Sequence, residues 1–77
     1  MSDTLATLDA VIVHVLPELT GKVEAAQRLT TDLGIDSMSI VEIVFQLERQ
    51  LGIEIPDAEM ESAETVQDIV DLIDRNR

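Results

Sequence analysis

Seventy-seven residues carry sixteen carboxylates against five Lys and Arg, a formal charge of −11. So short a chain is expected to be one domain over residues 1–77, and its acidity argues against nucleic acid and anionic membrane, which both attract basic surfaces. There is no cysteine to build a disulfide or thiolate metal site, no apolar run near the roughly 20 residues of a membrane span, and no signal-peptide pattern, so the expected location is the cytoplasm.

Leu5, Leu8, Ile12 and Val15 recur at helical spacing with Leu16 beside them, which predicts a first helix from about Thr4 to Leu16. Ser2, Asp3 and Thr4 offer cap oxygens for its start, and Pro17 marks a stop or kink. A polar connection follows from Glu18 to Asp36, long for a compact domain. Val23, Leu29, Leu33 and Ile35 are the residues expected to pin it to the core, with room for a short helical turn inside it.

The second helix is expected from about Ser37 to Leu51, with Gly52 as its left-handed terminator. At about 100° per residue its apolar residues fall into two stripes. Ile40, Ile43, Val44, Leu47 and Leu51 form one, and Met38, Val41 and Phe45 form another on nearly the opposite side. A helix in a small bundle buries one face. The second stripe is then either a protein-docking surface in water or a patch covered by the long connection.

Gly52-Ile-Glu-Ile-Pro56 alternates like a strand but has no partner strand, and reads as an extended link. One helical turn is expected over Asp57–Glu61. Thr65 with Asp68 then makes a capping-box start for a last helix whose Val66, Ile69, Val70 and Ile73 keep i, i+3, i+4, i+7. The fold expected is therefore all-α, a small bundle of three main helices and one short one with a long first loop. The eight acids between Glu54 and Asp74, with no base among them, read mainly as a solvated face.

Ser37 is the residue most suggestive of chemistry, because its hydroxyl opens a helix just after a Gly-containing turn. A helix mouth favours an anionic adduct by roughly 0.3–1 kcal/mol. Asp36 opposes such an adduct unless a metal ion in a modifying enzyme bridges the two charges. From spacing alone two readings stay open: Ser37 caps the helix, or Ser39 caps it through Ser39-Ile-Val-Glu42 and leaves Ser37 free. Catalysis by the chain itself is not expected, since His14 is the only histidine and no Gly-x-Ser-x-Gly elbow is present. Neither an EF-hand loop nor a phosphate-cradling Gly-rich motif appears, so no metal site is expected.

The run Asp32-Leu-Gly-Ile-Asp-Ser-Met38, followed by Val41-Glu-Ile-Val44 and Leu47-Glu48, resembles the acyl carrier protein family. Gly52-Ile-Glu-Ile-Pro-Asp57 and Thr65-Val-Gln-Asp68 resemble it too, so the likeness runs almost continuously from Leu29 to Ile73. The resemblance implies a four-helix bundle bearing 4′-phosphopantetheine on the serine that Ser37 matches, installed from coenzyme A by a phosphopantetheinyl transferase that uses Mg²⁺. It implies a non-catalytic monomer that carries acyl groups as thioesters between enzymes of fatty-acid or related acyl-chain biosynthesis, such as a ketosynthase or acyltransferase. It also implies docking on basic, apolar-edged partner surfaces through Asp36, Met38, Val41, Glu42, Phe45 and Glu48, Asp36 serving recognition by the transferase. An almost wholly aliphatic interior could part to admit an acyl tail between the second and last helices.

The sequence departs from the family pattern where Met38 and Ser39 follow the serine, and where Gln46, Arg49 and Gln50 dilute the acids of the second helix. The alternatives are accordingly a dedicated polyketide, specialised-metabolite or aminoacyl carrier, and an unmodified acidic interaction module.

Overall fold

The computed structural model describes residues 3–77. Its elements are α1 (Asp3–Val15), a 3-10 turn (Pro17–Leu19), α2 (Ser37–Leu51), α3 (Asp57–Ser62) and α4 (Val66–Asn76). α1 packs against both α2 and α4, and α3 packs against α4. That double neighbour explains why α1 buries a wider arc than one stripe. Leu8 and Ile12 are fully enclosed and Val11 joins them, while Leu5 and Val15 at the helix ends are half-buried.

Thr4 does not cap α1. It is buried inside the helix, and its hydroxyl donates to Asp74 Oδ1 at 2.5 Å, tying the start of α1 to the end of α4. Asp3 also lies within the helix, in the first turn where negative charge suits the dipole, and Ser2 is outside the described residues. Pro17 opens the 3-10 turn at a position where its missing N–H is no loss, and Leu19 drops into the core from that turn.

The long connection is held by the residues expected to hold it. Leu29 and Ile35 are buried, and Val23 and Leu33 half-buried. Its backbone is also stitched to the start of α4. Leu29 N–H donates to the Glu64 carbonyl at 2.9 Å, Val66 N–H to Gln27 at 3.0 Å, and Gln67 N–H to Ala25 at 2.9 Å. Arg28 and Thr65 face each other across an isolated antiparallel bridge. This zipper satisfies backbone groups that a buried loop would otherwise leave orphaned.

No Cα atom of α2 lies within 8 Å of one in α4. Side chains from the irregular segments, Leu29, Ile35 and Ile55, join Ile43 and Leu47 of α2 with Ile69 and Ile73 of α4 in one buried cluster. Every apolar residue of that cluster is Leu, Ile or Val. α3 is tied to α4 by Arg75 Nη1, 2.9 Å from Glu59 Oε1.

The last helix starts as its sequence requires. Thr65 Oγ1 accepts from Asp68 N–H at 3.1 Å, while Asp68 Oδ2 accepts from Thr65 N–H at 3.0 Å and from Glu64 N–H at 2.8 Å. The Glu64 N–H, then the Thr65 N–H, hold the Asp68 carboxyl below its ordinary range, with the Thr65 hydroxyl and the Arg28 charge adding to them and desolvation opposing. A carboxyl whose folded pKa is depressed stabilises the fold above its unfolded pKa and loses that contribution as pH falls through the folded value. The stability advantage of the native chain over Asp68→Asn is therefore expected to be full at neutral pH and to shrink below about pH 4. Thermal melts of the two proteins across that window check it. Parallel curves would show that the box adds nothing through charge.

Candidate functional site

Gly34 takes a left-handed φ of +67°, a turn that costs a residue with a Cβ but not glycine. The chain thereby swings inward to bury Ile35, whose N–H donates to the Leu29 carbonyl at 2.9 Å. Ile35 anchors the segment; full burial of such a side chain contributes roughly 1.5–3 kcal/mol. The next two residues, Asp36 and Ser37, emerge at the surface.

Asp36 caps α2, and neither serine does. Its Oδ1 accepts from Ser39 N–H at 2.7 Å, and its backbone is extended at φ −84°, ψ 172°. The Ser39 N–H, then the Ser39 hydroxyl, draw the Asp36 carboxyl below its ordinary range, with the Met38 N–H assisting and slight desolvation opposing. A carboxylate at this position meets both the third N–H of the helix and the positive end of its dipole, which a serine hydroxyl matches less well. Ser39 is inside the helix, so the box suggested with Glu42 does not form; Glu42 Oε1 accepts from Gln46 Nε2 at 3.4 Å instead.

Ser37 is thus the first residue of α2, exposed, with a hydroxyl that bonds to no described residue. It is an unencumbered primary alcohol at a helix mouth. His14 offers it no help. His14 is exposed on α1 and lines a groove with Gln46 and Gln50. Gln46 lies nine residues beyond Ser37, about 13 Å along the helix axis at about 1.5 Å per residue. Among the described residues no group of three or more His, Cys, Asp or Glu side chains could hold a metal ion.

From Ser37 the exposed stripe runs up α2. Met38 is 77 % exposed, Val41 64 % and Phe45 51 %, so the long connection does not cover them. Glu42 shares this side of the helix and is exposed. Glu48 is half-buried, and its Oε2 accepts from Ile55 N–H at 2.9 Å, holding the link that follows Gly52 against α2. Of the six residues expected to dock partners, Met38, Val41, Glu42 and Phe45 therefore form one open face. Asp36 ends that face as a cap, and Glu48 sits at its edge with a structural bond. Arg49, absent from the expected set, extends the stripe. Its guanidinium carbon stands 5.6 Å from the Phe45 ring centroid, an i, i+4 pairing that the sequence spacing allowed.

The site is an exposed alcohol at a helix mouth with an exposed apolar stripe beside it. A family model described as a phosphopantetheine attachment site matches residues 6–73. An acyl carrier protein of Helicobacter hepaticus is 40 % identical over 75 residues, covering 97 % of this chain and 99 % of that protein. One from Zymomonas mobilis is 38 % identical over 77 residues, covering 100 % and 99 %. Among solved structures, one assigned as an acyl carrier protein from Mycobacterium tuberculosis superposes with a TM-score of 0.87 at 25 % identity, covering 94 % of this chain and 96 % of that one. The apo doublet acyl carrier protein from prodigiosin biosynthesis gives a TM-score of 0.67 at 28 % identity over all of this chain and 39 % of that one. Full-length kinship of this degree, on a bundle of the same shape, means that the chain belongs to the acyl carrier protein family, whose members are non-catalytic and carry covalently attached 4′-phosphopantetheine.

Proposed function

We propose that Ser37 is the attachment residue and that the protein shuttles acyl intermediates between enzymes of fatty-acid or related acyl-chain biosynthesis in the cytoplasm. The observation that carries this reading is the Ser37 hydroxyl itself, exposed and hydrogen-bonded to no described residue at the capped mouth of α2. When attached, the arm supplies a thiol that holds the cargo as a thioester. The chain's own residues do the rest. Asp36 fixes the first turn of α2 through Ser39 N–H, so the hydroxyl is presented on a rigid element rather than on a loose loop. The amino end of α2 favours the negative phosphodiester, by roughly 0.3–1 kcal/mol. Met38, Val41 and Phe45 offer a partner enzyme apolar area next to the attachment point, with Asp36 and Glu42 available to its bases. Tethering then raises the effective concentration of cargo at each active site to the order of mM. Buried Leu, Ile and Val side chains of α2 and α4 share one cluster, and their parting is the proposed route for a growing tail to leave water.

Full-length relatives named simply as acyl carrier proteins support assembly of ordinary acyl chains. A second reading, a carrier dedicated to a specialised product, is favoured by the dilution of acids along α2 and by the relative from prodigiosin biosynthesis. Mass spectrometry of the protein isolated from its own cells separates them. Saturated acyl groups differing by two-carbon steps, held by the arm on Ser37, are expected. Aminoacyl or branched polyketide cargo on the arm would transfer the protein to the second reading, and a bare serine would leave an unmodified interaction module.

A further inference from the structure

Among the described residues Arg49 has no carboxylate partner, in a chain that has sixteen acids and five bases. The other arginines are engaged. Arg28 Nη1 lies 3.3 Å from Glu64 Oε2, Arg75 Nη1 lies 2.9 Å from Glu59 Oε1, and Arg77 Nη1 donates to Thr4 Oγ1 at 3.3 Å. Among the described residues Arg49 has only the Phe45 ring. Its neighbour Glu48 is spent on Ile55 N–H. A base suits the last turn of a helix on its own account, yet that does not explain why its guanidinium lies over the Phe45 ring of the exposed stripe. The ring lies to one side of the guanidinium carbon, and no described residue accepts from its N–H groups, so that fork is available for a planar, bidentate acceptor.

Along α2 the open side is therefore bipolar. Carboxylates stand at the Ser37 end (Asp36, Glu42), apolar groups in the middle (Met38, Val41, Phe45), and one cation at the far end. Glu42 and Arg49 are seven residues apart, about 10 Å along the axis, near the distance at which salt screening separates two charges. A partner meets them as two distinct charges, not as a cancelled pair. Beyond Arg49 a groove continues between α2 and the link, where Glu54 and Asp57 line it. An incoming carboxylate has one cation to meet there and is repelled from going deeper.

We infer that the enzyme acting on the loaded arm presents a carboxylate to Arg49 as well as a base to Glu42. A uniformly basic docking surface, the default match for so acidic a chain, is selected against at Arg49. The inference rests on the carrier reading above and names the partner chemistry that this reading leaves open.

The test uses native carrier, Arg49→Gln, Arg49→Glu and Glu42→Lys, each shown by circular dichroism to be folded and loaded in advance with excess transferase, coenzyme A and acyl group. The probe is the ketosynthase of the same organism that has the highest kcat/KM for the native loaded carrier. Expected for Arg49→Glu is a KM raised about tenfold or more with kcat held, a smaller rise for Arg49→Gln, and a penalty that shrinks in high salt. One acid-to-Lys substitution on the rim of the ketosynthase docking site is expected to restore Arg49→Glu while impairing the native carrier. Glu42→Lys should also weaken binding, and that acid-to-Lys enzyme should not restore it. If Arg49→Glu works as well as the native carrier or better, the inference is overturned. Equal losses for Gln and Glu with no rescue by any rim substitution overturn it too, since the contact is then one of shape. A native chain that takes no arm removes the carrier reading and this inference together, whereas a loaded chain indifferent to Arg49 removes only the latter.

Discussion

Leu47→Ala is expected to lower the stability of the bundle by about 2–5 kcal/mol, while Phe45→Ala, two positions earlier on the same helix, changes it by no more than about 1 kcal/mol. Leu47 is fully enclosed, packed in the cluster that joins α2 to α1, α4 and the long connection. Truncation there removes buried methyl groups and leaves a cavity whose walls are held by three other segments, so little of it can collapse. Phe45 is half in water, lines an open groove with Ile53 and Pro56, and has Arg49 over its ring. Losing an exposed cation–π contact costs roughly 0.5–1 kcal/mol. In a domain this small each kcal/mol moves the melting temperature by about 4–8 °C, so the two variants separate clearly in thermal melts. The order reverses in function: Phe45→Ala, folded and loaded, is expected to raise the KM of a partner enzyme, because it removes the largest apolar group of the open stripe. Equal destabilisation by both substitutions would mean that the stripe is buried, and the docking argument would fail with it.

The two-sided pattern of α2 was legible because helical periodicity separates Ile43 and Leu47 from Met38, Val41 and Phe45 without knowledge of the neighbours. The box at Thr65 and Asp68 and the left-handed Gly52 were equally plain, since each depends on residues within one turn. Which residue caps α2 was not. Asp36, Ser37 and Ser39 all carry a suitable oxygen, and the choice depends on the backbone at Asp36. That backbone is set by the burial of Ile35 and its bond to Leu29, contacts made from outside the helix. The stitching of the long connection to Glu64 and Val66 was hidden for the same reason, being paired across more than 30 positions of sequence. The resemblance implied docking by Glu48, whereas its bond across the Gly52 turn to Ile55 N–H has no periodic signature and was not legible. Spacing alone left the role of Ser37 open between cap and modified alcohol. The resemblance raised the second, and the geometry removed the first.

Ser37→Ala is expected to abolish loading completely and leave the melt within about 0.5 kcal/mol of the native chain. The two halves follow from one fact. The hydroxyl bonds to no described residue, so the fold does not use it, and it stands exposed at the start of α2, so an outside enzyme can. Alanine is also well tolerated at the first position of a helix, with Asp36 still capping from the residue before. The decisive measurement is peptide-resolved mass spectrometry of the native chain and Ser37→Ala after incubation with coenzyme A, Mg²⁺ and a broad-specificity phosphopantetheinyl transferase. One phosphopantetheine on the Ser37 side chain of the native protein, and none anywhere on the variant, is the expected result. An arm found on Ser39, or still gained by Ser37→Ala, would contradict it.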